Sequence, residues 1–156
     1  MIENKIEKKV LWFDMDGVIS DFKKGVDEYW EKHHNRNKKH TEPDAIHGIF
    51  RDLPPISGAI DAVNRLAESG KYDMYIATTA PWGNPEAATD KRYWIENQFG
   101  ELFHKRLTVT HQKNMLMGDY LIDDRTKNGA GDFKGELLLF GSEKFPNWEA
   151  ILNYLL

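Results

Sequence analysis

The sequence predicts an α/β fold: a doubly wound parallel sheet with a small helical cap inserted after the first strand. Three observations lead there. Short apolar runs alternate with stretches of helical period along the 156 residues. Three of those runs stop in paired polar residues, Asp14 and Asp16, Thr78 and Thr79, and Asp123 and Asp124. Strands of a parallel sheet deliver such residues to one edge, where the ligand crevice opens. The alternation breaks once, between residues 21 and 55, where helical and loop segments stand in place of a strand.

Taken in order, Val10 to Phe13 are β-branched and aromatic, the character of a buried strand, which is predicted over residues 9–14. Gly17 lets the chain turn away after the two acids. Phe22, Val26, Tyr29 and Trp30 then share one helical face, with charged residues opposite. The basic stretch His33 to His40 reads as a loop, and its histidines form no compact zinc signature. Thr41-Glu42-Pro43-Asp44 predicts a short helix through Phe50, capped by Thr41 and stopped by Pro54-Pro55. Ser57 is the expected cap of the next helix, whose stripe is Ile60, Val63, Leu66 and Ala67 and which closes at Gly70. Further strands are expected at residues 72–77, 107–110, 120–122 and 136–140. Helices are expected at residues 87–99, closed by Gly100, and after Asn147 as a cap.

Composition narrows the function. One domain spanning residues 1–156, with residues 21–55 as the cap within it, is the simplest organisation for this length. A formal net charge of −4 argues against a grip on nucleic acid polymers. The absence of cysteine excludes disulfides, thiolate metal sites and a cysteine nucleophile. The first residues are charged without a signal-peptide core, and no run reaches membrane-spanning length, so no membrane partner and a cytoplasmic location are expected. A homodimer is compatible with these bounds.

The polar strand ends point to chemistry. Carboxylates from two strands suit a hard divalent cation, most naturally Mg²⁺, which takes oxygen ligands and leaves room for substrate phosphate. Hydroxyls and backbone N–H groups at a strand-to-helix turn suit phosphate oxygens. Lys91 and Lys113 are the candidates for the lysine that completes charge neutralisation.

Asp14-Met15-Asp16-Gly17-Val18, Thr78-Thr79, a lysine and Leu121-Ile122-Asp123-Asp124-Arg125 resemble the four signatures of haloacid-dehalogenase (HAD) superfamily phosphatases, a Rossmann-like fold. More narrowly, Asp14 to Phe22, Asp52-Leu53-Pro54-Pro55 with Gly58-Ala59, and Leu121 to Arg125 resemble the 5′(3′)-deoxyribonucleotidases of cytosolic and mitochondrial type. The resemblance implies a Mg²⁺-dependent phosphatase acting on (deoxy)nucleoside monophosphates. Asp14 would be the nucleophile, forming an aspartyl-phosphate, and Asp16 the general acid and base. Mg²⁺ would be held by Asp14, the backbone carbonyl of Asp16, and Asp123. Thr78, Thr79, Lys91 and Lys113 would bind phosphate, and Asp124 would support the site. Phe22 matches an aromatic that stacks on the nucleobase in that family. Phe50 could line the same pocket and Trp82 close it from the other side, while His111 stands where relatives often carry a basic residue. Two alternatives keep the fold: a phosphatase for a sugar phosphate or another small phosphometabolite, and a catalytically silent phosphate-binding domain.

Overall fold

The computed structural model describes residues 7–156; most of the charged N-terminal run lies outside them. Five strands, β1 (Lys9–Phe13), β2 (Tyr72–Thr78), β3 (Leu107–Val109), β4 (Tyr120–Asp123) and β5 (Glu136–Leu139), form one sheet in the order β3-β2-β1-β4-β5. Every pairing is parallel, with Phe13 level with Ile76 of β2 and Ile122 of β4. From the central β1 the chain builds outward through β2 and β3, then jumps back to build β4 and β5 on the other side. This reversal puts a topological switch point between the C-terminal ends of β1 and β4, where an open α/β sheet places its ligands.

Alternation along the strands sorts the core into two faces. Leu11, Phe13, Ile76, Ile122 and Leu138 pack in the larger cluster, under α2 (Ala59–Glu68), α3 (Ala87–Phe99) and α4 (Trp148–Leu155). Trp12, Ala77 and Leu121 face the other way and are covered by Ala130 and Phe133. The second layer of this doubly wound arrangement consists of single 3₁₀ turns at Lys113–Met115 and Ala130–Asp132. The connections over residues 110–119 and 124–135 carry these single turns in place of α-helical crossovers.

Between β1 and α2 the chain makes its helical excursion. Helix α1 (Phe22–Lys32) is capped by Asp21, whose carboxylate accepts from the Lys24 N–H at 3.0 Å. Val26 and Trp30 are its buried face.

Three expectations in this region are corrected. The short helix expected through Phe50 is one 3₁₀ turn, Pro43–Ala45, followed by turns. Ile46 is extended (φ −65°, ψ 126°) and Gly48 has φ +73°, so the α-helical hydrogen bonding cannot propagate. Thr41 is not its cap either; its hydroxyl donates to the Asn37 carbonyl at 2.9 Å. Ser57 does not cap α2, because Gly58 takes that position at φ +79°, a left-handed conformation that glycine adopts without a steric penalty. Asn147 does cap α4, accepting from the Ala150 N–H at 3.0 Å. No helix among the described residues is long and apolar enough to cross a membrane.

Candidate active site

The turn after β1 is held by short backbone bonds. Asp14 N–H donates to the Ile122 carbonyl at 2.9 Å, fixing the end of β1 against β4. The Met15 carbonyl accepts from the N–H groups of Val18, Ile19 and Ser20. Gly17 sits at φ +82°, and a Cβ there would run into the Asp124 carboxylate. Glycine is therefore required twice over, for conformation and for space. Gly17→Ala is expected to cost about 1–3 kcal/mol, the typical cost of left-handed strain at a non-glycine residue. A loss of stability in thermal melts together with a fall in turnover would register both effects.

Two lysines from different elements meet the acids. Lys113, on the 3₁₀ turn before β4, donates to Asp14 Oδ1 at 2.8 Å and to Asp123 Oδ2 at 2.6 Å. Lys91, on α3, donates to Asp16 Oδ2 at 2.6 Å and to the Thr78 hydroxyl at 2.8 Å. The sequence leaves open which lysine completes the site; the structure brings in both, each with its own acid. All of these groups except Asp16 are buried, and Asp16 reaches the opening. Its second oxygen accepts from the Ser20 hydroxyl at 3.0 Å. Ser20 was missed from the sequence, although its position four residues beyond Asp16 in a tight turn was a readable signal.

Three carboxylates, Asp14, Asp123 and Asp124, lie with oxygens within 4.8 Å of one another. The Asp16 side chain is not in this group; it faces Lys91 instead. Burial pushes the Asp14 carboxyl well above the usual range, the Lys113 charge pulls it back, and the Asp123 charge adds to the rise. For Lys113, burial favours the neutral form, but the carboxylates of Asp14 and Asp123 outweigh it and hold the ammonium above its ordinary value. Burial likewise raises Asp124, whose Oδ1 is buried without a hydrogen-bond partner. An all-oxygen donor set with surplus negative charge and an orphaned carboxylate oxygen fits a hard cation.

The site opens into a cleft of about 480 Å³ lined by Asp16, Gly17, Phe22, Phe50, Thr79 and His111, among others. The Thr79 hydroxyl donates to the Thr110 carbonyl at 2.8 Å, tying β2 to the end of β3. Phe22 and Phe50 stack on each other with centroids 5.2 Å apart and planes 11° from parallel. Trp82 is not brought into the cleft; it is 92% exposed, with its ring 6.5 Å from that of His111 and edge-on to it.

The sequence profile of the family described as "5′ nucleotidase, deoxy (Pyrimidine), cytosolic type C protein" matches residues 42–149. The chain belongs to this family. A protein of Vibrio phage KVP40 bearing the name 5′(3′)-deoxyribonucleotidase is 44% identical over 153 residues, which cover 97% of this chain and 86% of the phage protein. The aligned region extends well beyond the profile match. The human cytosolic-type 5′(3′)-deoxyribonucleotidase is 28% identical, covering 89% of this chain and 76% of its own length. Among solved structures, a HAD family hydrolase from Deinococcus radiodurans R1, crystallised with bound phosphate and sodium, superposes with a TM-score of 0.56 at 12% identity. That match covers 97% of this chain and 89% of the other, and establishes the HAD-like fold for this 5′-nucleotidase family member.

Proposed function

We propose that this chain hydrolyses (deoxy)nucleoside monophosphates through an aspartyl-phosphate on Asp14. The observation that carries the reading is the meeting of two lysine–aspartate clusters at the switch point of the sheet, beside a stacked aromatic pair. Family membership supports a nucleotide as the substrate.

In this reading the Asp14 carboxylate attacks phosphorus and displaces the sugar oxygen. Asp16 gives that oxygen its proton, then takes one from the water that opens the acyl phosphate. The Ser20 hydroxyl and Lys91 hold the Asp16 carboxyl from two sides, so it cannot swing away between the two steps. Lys91 and Lys113 supply positive charge to the phosphate oxygens, Thr78 and Thr79 border them, and Lys113 also orients Asp14. A Mg²⁺ ion fits the oxygen donors of Asp14, Asp123 and Asp124, with the Asp16 backbone carbonyl as a further donor. When bound, such an ion screens repulsion between the carboxylate nucleophile and the anionic phosphate. Residues 21–55 serve as the cap, contributing Phe22 to the substrate side, with Phe50 stacked against it. The substrate is then a small phosphomonoester rather than a polymer, in keeping with the cleft volume.

A phosphatase panel tests this reading. Deoxynucleoside monophosphates are expected to exceed 2-deoxyribose 5-phosphate in kcat/KM by at least ~10-fold, about 1.4 kcal/mol from base contacts. Equal rates on both would favour a sugar phosphatase. Mg²⁺ should also raise the melting temperature without any substrate present, a check that does not depend on turnover.

A further inference from the structure

Phe50 does something that lining a substrate pocket does not require. It is 2% exposed, so little of its ring is left to meet a ligand. One of its neighbours is Phe22, stacked parallel to it at the cleft. Another is the Lys91 ammonium, 4.7 Å from the ring centroid. Lys91 is 1% exposed and carries three N–H donors. Two are used, on Asp16 and Thr78. Water cannot reach the ammonium to accept the third, and the negative face of an aromatic ring within about 6 Å is an acceptor suited to a desolvated cation.

The chain around Phe50 is anchored to the same stretch of α3. The Arg51 guanidinium meets Asp90 Oδ1 at 3.3 Å and lies 4.0 Å over the Tyr93 ring. The Leu53 carbonyl accepts from the Trp94 indole N–H at 2.8 Å in a buried bond. Residues 50–53 therefore grip residues 90–94 at several points, and the Phe50 ring is held in place relative to Lys91.

We propose that Phe50 is a positioning residue for the reaction: its ring face holds the Lys91 ammonium toward Asp16 and Thr78, and couples the aromatic side of the cleft to the charged end. The inference rests on the proposed phosphatase reaction, and it assigns Phe50 to the chemistry rather than to base affinity. A ring that only lines the base pocket would affect substrates with a base and leave a base-free ester alone. A ring that orients Lys91 affects every phosphoester, through kcat.

The test compares Phe50→Leu with Phe50→Tyr on a deoxynucleoside monophosphate and on 2-deoxyribose 5-phosphate, with Mg²⁺ present. Phe50→Leu is expected to lower kcat about 10-fold on both substrates with little change in KM, the kinetic counterpart of an energetically significant cation–π contact. Phe50→Tyr, which keeps the ring face, is expected to restore most of it. A loss confined to KM for the nucleotide, with the sugar phosphate unaffected, would overturn the proposal. Because Phe50→Leu also disturbs packing, a second series replaces Phe50 by phenylalanines of increasing ring fluorination, which weakens the π face with little change in shape. A stepwise fall in kcat with each fluorine is expected; a flat series would overturn the proposal. Failure of the phosphatase reading itself would show separately, as wild-type protein inactive on both esters.

Discussion

Asp14→Asn is expected to abolish hydrolysis and, in the same protein, to raise the thermal stability of the metal-free fold. In the proposed reaction the activity loss should reach at least ~10⁴-fold, because the neighbours of the attacking carboxylate cannot replace it. The stability gain follows from where Asp14 sits. It is buried beside Asp123 and Asp124, with Lys113 the cation paired to it, and burial holds its pKa well above the ordinary carboxylate value. A carboxyl raised in this way binds its proton more tightly folded than unfolded. Its contribution to stability is full below the unfolded pKa and is lost as pH rises through the folded pKa. Above that point the native state bears the whole cost of an ionised, crowded group.

Asparagine removes that cost while keeping the shape. Melts in chelator at pH 8 should show Asp14→Asn more stable than wild type by a few degrees, on the order of 1 kcal/mol. The difference should shrink as the pH falls toward the acid range, where wild-type Asp14 is protonated too. Mg²⁺ should stabilise the wild type more than the variant. If Asp14→Asn melted lower than wild type at pH 8, the view of Asp14 as a destabilising charge would be wrong.

Lys113→Met should have the opposite effect on stability and a similar effect on turnover. Lys113 is the cation bonded to both Asp14 and Asp123, and all three side chains are buried. Removing one partner of a buried ion pair typically costs about 3–5 kcal/mol, because the remaining charge has no compensation. For a chain of this length that corresponds to a fall in Tm of roughly 10 °C. The raised Lys113 value means that its ion-pair stabilisation is complete below the ordinary lysine pKa and disappears only as pH rises through the higher folded value. Wild type should therefore keep this contribution across the neutral range and lose it only in strong alkali.

The double variant Asp14→Asn/Lys113→Met should recover part of the lost stability, since it removes both a carboxylate and its counter-charge. Coupling between the two sites in a double-mutant cycle would measure the pair directly. A Lys113→Met protein with unchanged Tm would contradict the charge arrangement described for this site.

The strands and the longer helices were legible because each carries its own period. β1 needed only the apolar run Val10 to Phe13, and α3 ran as expected from Ala87 to the glycine at 100. The departures fall where the backbone and its contacts, near and far, outweigh residue type. Thr41 and Ser57 are both good cap residues by type, yet Thr41 turns back to Asn37, and Gly58 takes the cap position because the chain there needs a positive φ. Ile46, Ile49 and Phe50 are all buried without a helix to arrange them, because the core and α3 hold them in turns. Trp82 carries no local mark of exposure, and only the structure shows it 92% exposed.

The sequence by itself determined the fold class, the family resemblance, and which residue types reach the C-terminal edge of the sheet. Those depend on strand period and on motif order, and both are local properties. Only the tertiary structure decided how the charges pair. It gave Lys113 to Asp14 and Asp123, gave Lys91 to Asp16 and Thr78, and set Asp124 in the carboxylate group with Asp14 and Asp123. The reason is geometric. Asp14 and Asp16 sit on either side of Met15, whose carbonyl gathers three N–H groups and turns the chain immediately after β1. Which lysine each one meets depends on how α3 and the turn before β4 pack against that end of the strand.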